Sequence, residues 1–160
     1  MVDISIEMRE MKANEQAIYA DIFAQSFNQE PWNENWTQEK AEGLLGKLMN
    51  QPAFWGICAT ENEQILGFLC GRAIQTDKEK SFFCVELCVA PKYQGKKIGS
   101  RLLENARKQL IVHGVSSMEI GTDKNTLAEK FYQKHGFMVT KSEKRAIYMK
   151  WSFEQGEGNE

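Results

Sequence analysis

The sequence has 160 residues, enough for one domain with a sizeable core, and its composition is that of an ordinary soluble protein. Its formal net charge of -2 argues against general electrostatic binding to nucleic acid. No apolar run reaches the length of a membrane span and no charged-then-apolar leader opens the chain, so we expect a cytoplasmic protein without a membrane partner. The four cysteines form no C-x-x-C pair and lie in apolar runs, which predicts buried, reduced thiols and no metal site.

Apolar periodicity predicts a mixed α/β domain with the element order β-α-α-β-β-β-α-β-α-β-β. The strands are expected at residues 2–9, 53–60, 64–73, 81–90, 116–121, 137–140 and 146–151. The helices are expected at residues 14–27, 37–51, 98–112 and 126–135. We expect a single domain over residues 1–152, followed by a polar tail over residues 153–160.

Local signals refine several of these elements. Thr37 can cap the second helix, and Thr126 with Glu129 forms a capping box for the fourth. Gly67 in the third strand indicates a bulge or a close backbone approach. Residues 81–90 are almost continuously apolar, which is typical of a central strand covered on both faces.

The stretch from Phe82 to Leu103 combines an apolar strand, a basic glycine loop and the start of a helix. The strand carries one carboxylate, Glu86, and Pro91 ends it. The loop consists of Gln94, Gly95, Lys96, Lys97, Ile98, Gly99 and Ser100. Successive backbone N–H groups, glycines that allow close approach and the helix dipole together favour phosphate binding. The loop is neither a Walker loop nor a dinucleotide motif, and an ordinary turn with surface lysines is the alternative interpretation.

Two sequence blocks carry a family resemblance. The first reads ELCVAP at residues 86–91 and YQGKKIGSRLL at residues 93–103. The second contains Asn125, Ala128, Phe131, Tyr132, His135, Gly136 and Phe137. In this order and spacing they resemble the GNAT superfamily of N-acetyltransferases over nearly the whole chain. The signature Gln-x-x-Gly-x-Gly/Ala of that family maps onto residues 94–99, with Lys97 where the middle glycine usually stands; if the position needs a left-handed backbone, lysine costs about 1 kcal/mol there.

The resemblance implies a GNAT fold, a mixed and mostly antiparallel sheet with helices on both faces, and acetyl-CoA as the co-substrate. The pyrophosphate would bind the amides of the loop from Gln94 to Ser100. The pantetheine arm would pair with the backbone of Leu87, Cys88 and Val89, which requires the fourth and fifth strands to splay apart. Asn125 would bond the same arm, since Thr126 already provides the helix cap.

Acyl transfer from a thioester to an amine needs a deprotonated amine, a polarised carbonyl and a protonated leaving thiolate. Glu86 is the candidate base, because an apolar strand raises the pKa of a carboxyl group toward working pH; a carboxylate bonded to a structural partner is the alternative. The resemblance implies Tyr132 as the acid, with a half-buried core aromatic as the alternative. Cys88 has no nearby histidine in sequence to activate it as a nucleophile, although its backbone amide can hold the carbonyl oxygen. His113 and His135 fall at helix ends, where dipole interaction accounts for them.

The segment NQEPWNENW at residues 28–36 has an unusual acid-and-aromatic composition. Trp32 and Trp36 can form an aromatic wall for the acceptor together with Phe54 and Trp55. Glu30 and Glu34 can attract a cationic amine. Alternatively, both tryptophans of the segment pack the connection between the helices. The composition resembles GNAT enzymes that acetylate aminoglycosides or small polyamines.

The sequence therefore predicts an acetyl-CoA-dependent N-acetyltransferase that moves the acetyl group by direct attack to a primary amine of a small cationic acceptor. A protein or peptide N-acetyltransferase and a non-catalytic acyl-CoA-binding module are the alternatives. The presence of both Glu86 and Tyr132 argues against a pure binder, and the missing nucleotide motifs argue against a nucleotide-binding regulator. Exposed edge strands near the C-terminus favour a homodimer.

Overall fold

The computed structural model describes residues 5–153 of the chain. The strands are β1 (Glu7–Glu10), β2 (Phe54–Glu61), β3 (Gln64–Gln75), β4 (Lys80–Val89), β5 (Ser117–Asp123), β6 (Met138–Ser142) and β7 (Ala146–Ser152). The α-helices are α1 (Gln16–Asn28), α2 (Gln38–Met49), α3 (Ile98–Val112) and α4 (Leu127–Lys134), and single 3₁₀ turns occur at Ala13–Glu15 and Pro91–Tyr93. The predicted order of elements is confirmed. Residues 2–4 of the first predicted strand and residues 154–160 of the predicted tail lie outside the described residues.

The strands of the described residues form one seven-stranded mixed sheet in the order β1-β2-β3-β4-β5-β7-β6. β4 occupies the centre of this order, as its apolar sequence predicted. β1 pairs with β2 and β5 pairs with β7 in antiparallel fashion, whereas β4 and β5 are parallel. The parallel pairing joins Ser81, Phe82 and Phe83 of β4 to β5, so it involves the first half of β4.

The described chain divides into two compact units. The first unit runs to Gly71 and resumes over Glu86–Ala106, so it contains α1, α2, the second half of β4 and the loop that leads into α3. The second unit comprises Arg72–Val85 and the chain from Arg107 onwards, and it contains β5, α4, β6 and β7.

The core of the first unit forms where α1 and α2 pack their apolar faces on strand residues. Tyr19 and Phe68 are fully buried and meet edge to face with ring centroids 5.2 Å apart. Cys88 and Ala90, at the end of β4, belong to the same cluster of buried side chains. The end of the central strand is therefore anchored in the core that the two helices cover.

The second unit has its own aromatic core. Phe137, Trp151 and Phe153 are buried, with neighbouring ring centroids 5.3 Å and 5.4 Å apart. The N–H of Phe153 donates to the Ser116 carbonyl at 2.9 Å, so this residue, placed in the polar tail by the sequence, packs with β7. The edge strand β6 is exposed at every residue and carries a bulge after Val139.

All four cysteines are buried and none of these four is joined in a disulfide, which agrees with the predicted reduced thiols. Within residues 5–153, no helix is both long enough and apolar enough to cross a bilayer.

Candidate active site

Glu86 lies in the second half of β4, with a buried cysteine two residues away on either side. Cys84 is 5% exposed and Cys88 is 3% exposed. Because successive side chains of a strand point to opposite faces, Cys84, Glu86 and Cys88 share one face. Desolvation at this position raises the pKa of Glu86 to about 8, and the negative charge of Glu34 adds to the rise. A carboxyl group that titrates near working pH can accept a proton and release it again, which a general base must do.

The end of β4 packs closely against β3 at Gly67. A Cβ atom at this position would lie 2.7 Å from the Cys88 carbonyl oxygen and 3.0 Å from the Val89 Cα, so a larger residue requires the backbone to shift. The Ala90 N–H donates to the Leu66 carbonyl at 2.8 Å beside this contact. The close backbone approach predicted at Gly67 is confirmed, and it seats Cys88 and Val89 firmly on β3.

The loop after β4 has two residues in the left-handed region of backbone space. Gly95 has φ +79° and Lys97 has φ +66°. The conformation at position 97 is therefore the one that a glycine would adopt without strain, whereas a residue with a Cβ atom loses about 1–2 kcal/mol there. The lysine that replaces the signature glycine at position 97 is thus held in a strained backbone conformation.

The same loop has the physical features of a phosphate cradle. α3 begins at Ile98, and the first N–H groups of a helix have no intrahelical partner and carry the positive end of the dipole. Lys96 and Lys97 are exposed beside them, and a Cβ atom built at Gly95 would meet no other group within 4 Å. These residues fit the diphosphate group of coenzyme A, with backbone N–H groups as donors and two ammonium groups nearby.

The side chain of Gln94 joins the loop to the strand. Its Nε2 donates to the Val89 carbonyl at 2.8 Å, and Ser26 Oγ donates to the same carbonyl at 3.1 Å. Its Oε1 accepts from Gln29 Nε2 at 3.2 Å. The sequence predicted the backbone of Gln94 as a phosphate ligand, but no sequence pattern indicated that Ser26 and Gln29 reach this point from α1.

Asn125 and the start of α4 lie in the second unit. Thr126 caps α4 as predicted, because its Oγ1 accepts from the Glu129 N–H at 3.2 Å. The Glu129 carboxylate accepts from the Asn125 N–H at 2.6 Å, so the capping box closes on the residue before the cap. Asn125 has φ +61° and is exposed. The capping side chain of α4 is that of Thr126.

Tyr132 lies on α4 and is partly buried. Its ring meets those of Phe131 and Phe137 at centroid distances of 5.3 Å and 5.2 Å, both close to perpendicular. These edge-to-face contacts fix the position of the Tyr132 ring.

Residues 29–36, between α1 and α2, form what we call the acceptor loop. The Trp36 ring packs edge-on against Phe23 at 4.9 Å, and the Trp32 ring tilts against Phe27 at 5.5 Å. Both tryptophans therefore pack the connection between the helices, although each stays partly exposed. Trp55, at the start of β2, is also partly exposed.

The acceptor loop carries two exposed carboxylates, Glu30 and Glu34. Trp36 Nε1 donates to Glu34 Oε1 at 2.6 Å, which fixes that carboxylate. The negative charge of Glu34 is close enough to Glu86 to raise the pKa of that buried carboxyl group. The charge of Glu34 therefore adds negative potential at Glu86.

The strand, the loop and the sheet described above together indicate the kind of reaction that the site can support. A central strand with a desolvated carboxyl group leads into a glycine-bearing, basic loop at a helix N-terminus, within a seven-stranded mixed sheet. This arrangement suits acyl transfer from a donor that carries a diphosphate group.

The chain belongs to the Acetyltransferase (GNAT) family, whose sequence profile matches residues 16–137. Members of this family use acetyl-CoA as co-substrate. The predicted family, acetyltransferase activity and acetyl-CoA co-substrate are confirmed at this level. A search of curated protein sequences found no significant match.

Solved structures share the fold at low sequence identity. The PaiA N-acetyltransferase of Thermoplasma acidophilum, in complex with coenzyme A, is 21% identical with a TM-score of 0.75, and the match covers 94% of this chain and all of that one. A putative GNAT acetyltransferase of Desulfovibrio desulfuricans is 17% identical with a TM-score of 0.76, over 92% of this chain and 99% of that one. An aminoglycoside 6′-acetyltransferase type Ii is 19% identical with a TM-score of 0.71, over 92% of this chain and 97% of that one. The predicted GNAT fold is therefore confirmed.

Proposed function

We propose that this chain is an N-acetyltransferase that moves the acetyl group of acetyl-CoA by direct attack to a primary amine of a small cationic acceptor, aminoglycoside- or polyamine-like. The observation that carries the proposal is the carboxyl group of Glu86, whose pKa of about 8 results from desolvation and from Glu34. A base with this pKa is available at working pH, and the charge beside it favours a cationic substrate.

In the proposed mechanism, Glu86 takes a proton from the acceptor ammonium, directly or through a water molecule. The neutral amine nitrogen then bonds to the acetyl carbonyl carbon, and the bond from that carbon to sulfur breaks. The backbone N–H of Cys88 stabilises the negative charge that develops on the carbonyl oxygen. Tyr132 gives its hydroxyl proton to the leaving thiolate, and the second proton that the amide nitrogen must lose restores the tyrosine hydroxyl through water. The products are the N-acetyl amine and the free thiol of coenzyme A, and Glu86 releases the proton it took to solvent.

The proposed cofactor residues follow the chain from the strand into the helix. The pantetheine arm pairs with the backbone of Leu87, Cys88 and Val89 and with Asn125. The Val89 carbonyl already accepts hydrogen bonds from Ser26 and Gln94. We therefore assign the contact of Val89 with the pantetheine arm to its N–H. The pyrophosphate binds the backbone of Gln94, Gly95, Lys96, Lys97, Ile98, Gly99 and Ser100.

The proposed acceptor residues are Glu30, Trp32, Trp36 and Trp55, together with Glu34. The packing of Trp32 and Trp36 gives them a structural role, and their exposed portions still offer aromatic surface to a cation. The likeness to an aminoglycoside acetyltransferase extends to the fold alone, so the acceptor class rests on charge. The proposal also includes a cytoplasmic location and a homodimer, for which the exposed edge strand β6 is the candidate contact.

The test is a thiol-release assay with acetyl-CoA over an amine panel. The panel pairs spermidine and kanamycin with hexylamine, a primary amine without a second charge, and includes amino acids and a lysine peptide. We expect kcat/KM for the polycationic amines to exceed that for hexylamine by roughly tenfold or more, which is about the effect of one partly screened charge pair. Turnover of the peptide but not of the small amines would show that the acceptor is a peptide and not a small amine. Thiol release with none of the amines would refute the proposed acetyl transfer.

A further inference from the structure

Gln29 stands where α1 ends and the acceptor loop begins. It is the C-cap residue of α1, with extended backbone at φ −94° and ψ 172°. Its carbonyl accepts from the Asn33 N–H at 2.9 Å, so it also anchors the turn inside the loop. Its side chain donates to Gln94 Oε1 at 3.2 Å, in the phosphate cradle.

The far end of the acceptor loop is fastened to α1. The Trp36 N–H donates to Asn28 Oδ1 at 2.7 Å, and Asn28 Nδ2 donates to the Trp36 carbonyl at 2.9 Å. The Glu34 N–H donates to the Phe27 carbonyl at 2.8 Å. These bonds shape the loop and fix its ends, but they make no contact with the cofactor residues.

Gln94 is the point at which three parts of the site meet. Its Nε2 donates to the Val89 carbonyl at the end of β4, and its Oε1 accepts from Gln29 Nε2 of the acceptor loop. Its backbone opens the loop that takes the pyrophosphate. A ligand that immobilises the backbone of Gln94 therefore also restricts the Gln94 side chain, whose Oε1 accepts the hydrogen bond from Gln29.

We infer that Gln29 and Gln94 are positioning residues that couple the two halves of the site, so that coenzyme A bound at Gln94–Ser100 steadies the acceptor loop. The inference rests on the proposed function only in placing the pyrophosphate at that loop. By linkage, an acceptor that needs the steadied loop binds more tightly after the cofactor, and the cofactor binds more tightly after the acceptor.

The test measures hydrogen–deuterium exchange of peptides covering residues 28–36, with and without coenzyme A, and needs no knowledge of the acceptor. In the wild type we expect coenzyme A to slow exchange in the loop by about 2- to 12-fold, the effect of one neutral hydrogen bond. In Gln29→Ala this protection should disappear, while the Kd for coenzyme A, measured by calorimetry, stays within about twofold because Gln94 still bonds Val89.

Gln25→Ala is the matched control. Gln25 lies one turn earlier on α1, and its Nε2 bonds Asp21 Oδ2 at 2.8 Å on the exposed surface. It should retain the full protection by coenzyme A. Equal protection in Gln29→Ala and the wild type, or equal loss in Gln25→Ala, would overturn the coupling. Absence of coenzyme A binding in the wild type would instead overturn the proposed cofactor site, and the inference with it.

Discussion

Lys97 offers the sharpest test of how the phosphate loop is built. Its backbone adopts φ +66° close to Gly95, which has φ +79°. The lysine is therefore strained in a conformation that a glycine would adopt freely, at the position where the family prefers glycine. Lys97→Gly should relieve this strain, and Gly95→Ala should create the same strain two residues earlier.

The magnitude follows from two opposing effects. The left-handed conformation costs a residue with a Cβ atom about 1–2 kcal/mol. A glycine also gains freedom in the unfolded chain, which lowers stability by roughly 0.4–1 kcal/mol. The net expectation for Lys97→Gly is a rise of about 0.5–1 kcal/mol in the free energy of unfolding, or roughly 1–4 °C in Tm for a chain of this size. Because a Cβ at Gly95 meets nothing within 4 Å, Gly95→Ala should lose a similar amount through backbone strain alone.

The assay is thermal and urea unfolding of the wild type, Lys97→Gly, Lys97→Ala and Gly95→Ala without ligand. Lys97→Ala removes the ammonium group but retains the Cβ atom, so it separates charge from backbone strain. We expect Lys97→Ala to match the wild type within about 0.5 kcal/mol, as a surface change does.

Two results would refute this reasoning. If Lys97→Ala is as stable as Lys97→Gly, the effect comes from the lysine side chain and not from the backbone. If Gly95→Ala is no less stable than the wild type, the left-handed loop is absent in solution. Calorimetry with coenzyme A on the two Lys97 variants then reports separately what the ammonium contributes to phosphate binding.

Three further predictions concern Glu86, Tyr132 and Gly67. Glu86→Gln should reduce turnover by about 10²–10⁴-fold and flatten the rise of rate with pH that we expect of the wild type up to about pH 8; an unaltered profile would point to another base. Tyr132→Phe retains the ring that packs on Phe131 and should lower kcat while the Kd for coenzyme A stays unchanged; equal turnover over the amine panel would remove Tyr132 as the acid. Gly67→Ala should lower the free energy of unfolding by about 1–3 kcal/mol, because its methyl group would stand 2.7 Å from the Cys88 carbonyl oxygen. Gly43→Ala in α2, where a Cβ atom would have open space, is its control and should raise stability by about 0.5–1 kcal/mol; a Gly67→Ala protein as stable as this control would contradict the close approach.

The sequence predicted those parts of the fold that depend on local periodicity and punctuation. The structure places α3 at Ile98–Val112, the predicted bounds, because the apolar stripe is regular and Gly114 closes it with φ +83°. The close approach at Gly67 was predictable because a glycine inside a strand commonly marks a bulge or a neighbouring backbone at short distance. In each case the signal lies within a few residues of the feature that it predicts.

Contacts between distant residues had no such signal. The bond between Gln29 and Gln94 spans 65 positions, and glutamine side chains are common on any surface. The acid-and-aromatic pattern of the acceptor loop was equally consistent with ligand binding and with packing. Only the three-dimensional structure shows that the Trp36 ring packs on Phe23 while its indole N–H holds Glu34.

The burial of Glu86 affects the stability of the fold as well as the reaction that we propose for it. Its pKa rises from an ordinary value of 4.5 to about 8 in the folded chain, so the folded state binds this proton more tightly than the unfolded state does. The stability that this proton brings is fully present below about pH 4.5 and is lost as pH rises through about 8, at no more than about 1.4 kcal/mol per pH unit. Glutamine does not titrate, so the stability of Glu86→Gln relative to the wild type should increase over that same interval.

Under the proposed function, a cationic acceptor would lower the pKa of Glu86 when it binds beside Glu34. Without ligand, desolvation and the charge of Glu34 both favour the protonated form of Glu86. An ammonium group placed beside Glu34 cancels part of that charge and favours the carboxylate of Glu86, which lowers its pKa. Binding of the cation and release of the proton from Glu86 are therefore linked, and a polycationic acceptor retains one charge beside Glu34 after the reacting amine has lost its own. In the proposed function, the acidic loop therefore selects an acceptor that also converts Glu86 into the form in which it can act as the base.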